Sequence, residues 1–207
     1  MIKPQPITAY VGCNGSGKTL SAIAYALVDF TRHSRPLVTN VSGISAEHLY
    51  VASVEELPDL LGDIGSCNVV LDEAGAMFAS RDAGRNKAFE KTVQQLRKFD
   101  ARLLWTAPAF ARADKILREV TFLVVLCRSL RTKHIPGRAW PSTRLIMQKA
   151  FDVSRLDTSA MSINKNAKAK GFGLVRTATW QTAFDSFAVA GSAAVPDARQ
   201  ASHRVAS

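Results

Sequence analysis

Gly12-Cys13-Asn14-Gly15-Ser16-Gly17-Lys18-Thr19 satisfies the pattern G-x-x-x-x-G-K-[ST] at every fixed position. Context decides what that pattern is worth. Upstream, Ile7–Val11 is a short run of β-branched, aromatic and small apolar residues that reads as a strand. Downstream, residues 19–30 place Leu20, Ile23, Ala24 and Leu27 on one face of a helix. A strand, a glycine-rich turn and a helix opening on Lys-Thr make a phosphate-binding loop. Gly12, Gly15 and Gly17 let the backbone turn toward an anion, so that its amides, those of Asn14 and Ser16 included, converge there. The helix N-terminus adds partial positive charge at the same spot. Lys18 can reach the β- and γ-phosphates, and the Thr19 hydroxyl can ligate Mg²⁺. Cys13 reads as loop filler.

A second motif completes the first. Asn68–Leu71 is almost wholly apolar, as a strand buried on both faces should be, and it runs into Asp72-Glu73. An acid at the end of such a strand stands where phosphate-loop proteins hold Mg²⁺, so Thr19 and Asp72 are the metal candidates. Glu73 beside it is placed to take a proton from an attacking water. One expected strand, residues 37–41, separates the loop strand from the Asp72 strand. That order is the one found in additional-strand, catalytic-glutamate P-loop ATPases. There the next strand, here residues 102–106, inserts beside the first and offers a polar sensor, Thr106. ATP is favoured over GTP, because Asn86-Lys87-Ala88-Phe89 and Asn164-Lys165-Asn166-Ala167 both lack the acid of an Asn-Lys-x-Asp guanine-reading segment.

The remaining pattern alternates strands and helices. Ser53 with Glu56 reads as a capping box. Residues 86–99 carry Phe89, Val93, Leu96 and Phe99 at helical spacing. Residues 120–127 read as a strand, preceded by a short helix near residues 115–118, with further strands at 144–151 and 173–180. The fold class is therefore α/β: a P-loop NTPase with a mostly parallel sheet of RecA/FtsK-like type and helices on both faces. The expected organisation is an ATPase core over residues 1–130, a small basic extension over 131–187, and a disordered tail over 188–207, rich in Ala, Ser and Gly.

Charge is unevenly spread over the 207 residues. Residues 1–80 hold 4 basic and 8 acidic side chains, whereas residues 81–207 hold 23 and 9. Between residues 128 and 207 the excess is +9, with Arg131, Lys133, Arg138, Arg144, Lys165, Lys168 and Lys170 as the denser patch. DNA is the partner this implies, with Trp140 and Trp180 as stacking platforms or, more ordinarily, core residues. No apolar run approaches the roughly 18–20 residues that span a bilayer, and no leader-like stretch opens the chain. Cys13, Cys67 and Cys127 are odd in number and lack CxxC spacing, which argues against a disulfide framework or zinc site. A cytoplasmic setting, with peripheral contact to membrane or virion, is the expected localisation.

With these residues in place, the chain resembles the zonular occludens toxin (Zot) family and the filamentous-phage gene I assembly ATPases, within the FtsK/HerA class. After the loop, residues 35–44 (RPLVTNVSGI) are similar to that family's V-V-T-N-I-x-G-L stretch. Leu71-Asp72-Glu73-Ala74 with Phe78-Ala79-Ser80-Arg81 is similar to its DEA…F-P-S-R, and residues 96–101 to the segment before its sensor strand. Ala113-Asp114-Lys115-Ile116-Leu117-Arg118 is similar to its I-D-x-x-I-R. The resemblance implies ATP hydrolysis with Mg²⁺, catalytic roles for Lys18, Glu73 and Thr106, and Arg118 as an arginine finger toward a neighbouring subunit. It also implies a homo-oligomer, of which a ring is one form, that moves phage or mobile-element DNA in virion assembly or packaging. Two departures stand out. The family's sensor strand ends in Thr-Gln, where this chain has Thr106-Ala107, and assembly members carry a membrane-spanning helix after the ATPase domain. These shift the expectation toward a soluble packaging-type motor. The alternatives are an export ATPase anchored by a membrane or virion partner, and a nucleotide-gated binding module without turnover.

Overall fold

The computed structural model describes residues 1–74, 83–134, 136–137, 142–153, 168–180 and 183. The 188–207 tail, the 78–81 segment, Arg138, Trp140 and Lys165 lie outside them. Eight strands form one sheet: β1 (Ile7–Val11), β2 (Leu37–Thr39), β3 (Leu49–Tyr50), β4 (Asn68–Leu71), β5 (Arg102–Ala107), β6 (Leu123–Lys133), β7 (Ser142–Asp152) and β8 (Gly171–Arg176). Their spatial order is β3-β2-β4-β5-β1-β6-β7-β8. The first six run parallel, and β7 and β8 are antiparallel additions. The α/β fold, mostly parallel and with β5 inserted between β4 and β1, is the one the two motifs imply.

Register explains how the site assembles. Val11 of β1 lies beside Ala107 of β5, and Leu71 of β4 lies beside Trp105. The C-terminal ends of three strands therefore meet at one edge, where the loop, Asp72-Glu73 and Thr106 all emerge.

Alternation along the central strands sends side chains into two cores. Ile7, Ala9, Val11, Val69, Leu71, Leu103 and Trp105 face one side, with Leu57 and Leu61 of α2 (Leu57–Ile64), Leu96 of α3 (Ala83–Lys98) and Leu117 of α4 (Lys115–Val120). Tyr10, Val70, Leu104 and Val125 face the other, against Ile23, Ala26 and Leu27 of α1 (Lys18–His33). Trp105, fully buried, satisfies its indole N–H on Thr121 Oγ1 at 3.1 Å. A buried indole without such an acceptor would lose the benefit of its large apolar area.

Several local expectations change. Ser53 makes no capping box: it precedes a 3₁₀ turn, Val54–Glu56, and its hydroxyl donates to the Glu55 carboxylate instead. The 3₁₀ turn tightens the entry to α2, which opens at Leu57-Pro58, so Glu56 stands just before the α-helix and not at its third position. β6 starts at Leu123 rather than residue 120, because Asp114 caps α4 by accepting the Ile116 N–H at 2.8 Å and Val120 completes that helix. β8 begins earlier than residue 173 and stops at Arg176, where a 3₁₀ turn (Thr177–Thr179) takes over. β2 ends at Thr39, two residues short of expectation. The two-residue β3 is too short to register as a pattern. Trp180 packs partly buried against the α1-side core and is not a free platform.

Candidate active site

All three phosphate-loop glycines hold positive φ: Gly12 at 150°, Gly15 at 75° and Gly17 at 86°. Two of them are also sterically obligatory. A Cβ on Gly12 would lie 2.4 Å from the Cys127 carbonyl oxygen, and one on Gly17 would lie 2.2 Å from Ile146 Cδ1. The loop is thus seated directly on β6 and β7, a support that the motif alone does not reveal. Gly17 caps α1 without any side-chain hydrogen bond, and no acidic residue occupies the first turn. The positive end of a 16-residue helix is left available to an anion. Lys18 is 9% exposed and donates from Nζ to the Cys13 carbonyl at 3.2 Å, so its ammonium already lies back along the loop. Ser16 is buried, and its Oγ has no hydrogen-bond partner within the protein.

Asp72 is the hub of the opposite wall. Its Oδ1 accepts two hydroxyls, Thr19 Oγ1 and Thr106 Oγ1, each at 2.6 Å. Sequence positions 19, 72 and 106, carried on α1 and at the ends of β4 and β5, converge on one carboxylate oxygen. No ion pair among the described residues engages Asp72. A carboxylate held by neutral hydroxyls keeps its charge for a cation, and Thr19 is the hydroxyl that phosphate-loop proteins put on Mg²⁺. The donor set, hard oxygens in a half-buried position beside an anion cradle, fits that metal.

Glu73 follows in the left-handed region at φ 49°, unusual for a residue with a Cβ. Its backbone N–H donates to Thr106 Oγ1 at 3.0 Å, and its side chain is exposed toward the same edge. Thr106 therefore uses its single hydroxyl proton on Asp72 while accepting from Glu73. In this arrangement it positions the acidic pair. Strain of this kind collects at functional sites when the surroundings over-determine it.

Asn40, just past the end of β2, is the site residue whose role sequence reasoning missed. Its Nδ2 donates to the Asp72 carbonyl at 3.1 Å and its Oδ1 accepts the Asp72 N–H at 2.8 Å. The amide clamps the backbone at the turn from β4 into Glu73. The available signal was its place in the Thr39-Asn40 match of residues 35–44 to the V-V-T-N-I-x-G-L stretch, which named the residue without its task.

Arg118 is not brought to this chain's own loop. It lies on α4, whose following residues lead to Phe122, and the Phe122 N–H donates to the Ile7 carbonyl at the far end of β1. Its Nε is buried without a hydrogen-bond partner. The cysteines are free; burial pushes Cys67 up to about 12 and Cys127 up to about 11, which keeps both as inert thiols. Among the described residues there is no His/Cys/Asp/Glu cluster that would hold a further metal, and no helix is long and apolar enough to cross a membrane.

Residues 7–62 match the zonular occludens toxin (Zot) family. That span covers β1, the phosphate loop, α1 and Asn40. The Zot-like fold extends well past it. The N-terminal domain of zonular occludens toxin from Neisseria meningitidis aligns over 88% of this chain and 100% of its own, with TM-score 0.61 at 15% identity. B204, the DNA-packaging ATPase from Sulfolobus turreted icosahedral virus, aligns over 74% of this chain and 95% of its own, with TM-score 0.50 at 13% identity. A genome-packaging NTPase B204 from Sulfolobus turreted icosahedral virus 2, solved with AMPPCP, gives 0.49 at 13% identity over 73% and 94%. No curated protein matches the chain. The architecture is that of a Zot-like P-loop NTPase.

Proposed function

We propose that this protein is a Mg²⁺-dependent ATPase whose turnover moves phage or mobile-element DNA during virion assembly or genome packaging. The observation that carries the reading is the meeting of Thr19 and Thr106 on Asp72 Oδ1, with Glu73 held at positive φ beside an uncapped helix N-terminus. The loop amides and Lys18 hold the triphosphate. Mg²⁺, held by Thr19 and Asp72, would neutralise charge on the β- and γ-phosphate oxygens. Glu73 takes a proton from water as the water oxygen bonds to the γ-phosphorus. The bond from that phosphorus to the β,γ-bridging oxygen breaks, and ADP leaves with its electron pair. Asn40 and Thr106 hold the base where it must act. The basic second half, +14 over residues 81–207, favours DNA as the polyanion to which turnover is linked.

The test is phosphate release from ATP, with and without DNA, for wild type and Glu73→Gln. Turnover that rises with DNA and falls by about 10²–10⁴-fold in the variant is expected, with nucleotide affinity retained. A protein that binds ATP tightly but releases no phosphate under any condition is instead a nucleotide-gated module. The committed Thr106 proton, with Ala107 supplying no amide, is the observation that favours this second reading.

A further inference from the structure

We propose that the β6–β7 hairpin is the DNA contact of this protein and that it transmits DNA binding to the phosphate loop. The proposal rests on the nucleotide-binding reading of that loop. Leu126 of β6 is level with Val11, the last residue of β1. Beyond that level β6 and β7 continue together through the pairs Cys127/Gln148, Arg128/Met147, Ser129/Ile146, Arg131/Leu145, Thr132/Thr143 and Lys133/Ser142. At about 3.4 Å per residue, a two-stranded ribbon of about 20 Å stands above the nucleotide edge of the sheet.

Its chemistry is one-signed. Residues 120–151 contain no Asp or Glu, and they carry Arg128, Arg131, Lys133, Arg138, Arg144 and Lys149. Arg128, Arg131 and Arg144 are exposed, and no ion pair among the described residues neutralises them. Guanidinium forks match phosphodiester oxygens, and a two-stranded ribbon has the width to enter the major groove. The pairing is interrupted between Ser129 and Arg131, where Leu130 is the additional residue. Such bulges re-aim side chains, here between Arg128 and Arg131.

The root of the ribbon touches the nucleotide site at two places. The Cys127 carbonyl packs against Gly12, and Ile146 Cδ1 packs against Gly17, both too closely for a Cβ to intervene. Ile146 is fully buried and pairs with Ser129, one rung below the Arg131/Leu145 pair. A displacement of the ribbon therefore reaches the first and last glycines of the loop without passing through any flexible linker. By linkage, nucleotide must alter DNA affinity by the factor with which DNA alters nucleotide affinity.

The test uses the full-length protein, fluorescein-labelled duplex and single-stranded oligonucleotides, and a fluorescent ATP analogue. The variant Arg128→Gln/Arg131→Gln/Arg144→Gln is expected to lose about tenfold or more in oligonucleotide affinity. Its log-affinity against log-salt slope should be shallower by about 2.7, and its affinity for the ATP analogue unchanged. In wild type, ATPγS should shift oligonucleotide affinity, and oligonucleotide should shift analogue affinity by the same factor. Ile146→Val removes only the methyl against Gly17, and that factor should collapse toward one. Oligonucleotide affinity untouched by the triple variant overturns the proposal, as does binding to phosphatidylserine vesicles with no binding to oligonucleotide. A factor of one in wild type overturns the coupling. ATP turnover measured without DNA keeps the two readings separable: a protein that hydrolyses ATP but ignores oligonucleotide loses the hairpin assignment alone.

Discussion

Two buried or half-buried carboxylates sit at opposite edges of the same sheet, and they are treated in opposite ways. Asp29, near the C-terminus of α1, is 3% exposed at the N-terminal edge of the strands. Its Oδ2 accepts Arg102 at 2.7 Å and Asn68 Nδ2 at 2.8 Å, with Arg35 Nε at 3.8 Å, while His33 Nδ1 lies 3.0 Å from Oδ1. Burial by itself raises the Asp29 pKa, but the Asn68 hydrogen bond, Arg102, His33 and Arg35 outweigh it and hold the carboxyl below its ordinary value. Asp72, at the other edge, receives only neutral hydroxyls on its carboxylate among the described residues. One acid is saturated with internal cations and ties α1 to the starts of β4 and β5. The other is oriented, and no cation among the described residues pairs with it. That difference separates a structural carboxylate from one available to an external charge.

The strongest way to break the comparison is at the loop. Gly17→Ala combines a left-handed φ with a Cβ inside Ile146, and it should reduce nucleotide affinity by about 10³-fold, measured by titration with a fluorescent ATP analogue. Next, Asp29→Asn should cost about 3 kcal/mol in urea unfolding, because Arg102 and Arg35 lose their buried anion. The paired variant Asp72→Asn should leave the urea midpoint nearly unchanged while abolishing Mg²⁺-dependent turnover. If Asp72→Asn destabilises as much as Asp29→Asn does, the two carboxylates are not different in kind. Asn40→Ala removes both amide contacts to the Asp72 backbone and should lower turnover about 10–100-fold with nucleotide affinity preserved. Asn40→Asp, which keeps the acceptor alone, should fall between.

The smallest effect is in acid. Since the folded Asp29 pKa lies below its unfolded value, its stabilising contribution is complete above the ordinary carboxylate pKa. It is lost as pH falls from there through the folded value. Wild-type stability should therefore decline in that window more steeply than that of Asp29→Asn, as thermal melts at stepped pH would measure.

How much could be read in advance follows from the range of each interaction. β1, α1 and β4 were legible because their signals are local: an apolar run, a helical face, and a motif whose residues are contiguous. β3 and the strand ends were not, since pairing with a neighbour rather than residue preference fixes where a strand stops. The capping box failed because a 3₁₀ turn displaced the helix start, a choice made by how Val54 and Leu57 enter the core. Thr106 was found as a polar residue at the right strand end, but its partners were invisible. Whether its hydroxyl faces nucleotide or Asp72 depends on the register of β5 between β4 and β1.

By itself, then, the sequence determined the α/β class, the phosphate loop and the acidic pair, since glycine, lysine and carboxylate chemistry at short spacing admits few other readings. Only the tertiary structure decided that Asn40 clamps Asp72, that Asp29 meets Asn68 and Arg102 while Asp72 meets Thr19 and Thr106, and that β6 and β7 brace the loop. Those contacts join residues 32 to 129 positions apart. No local preference encodes them; they exist because parallel pairing brings strand ends to a common edge and packing then leaves a single place for each side chain.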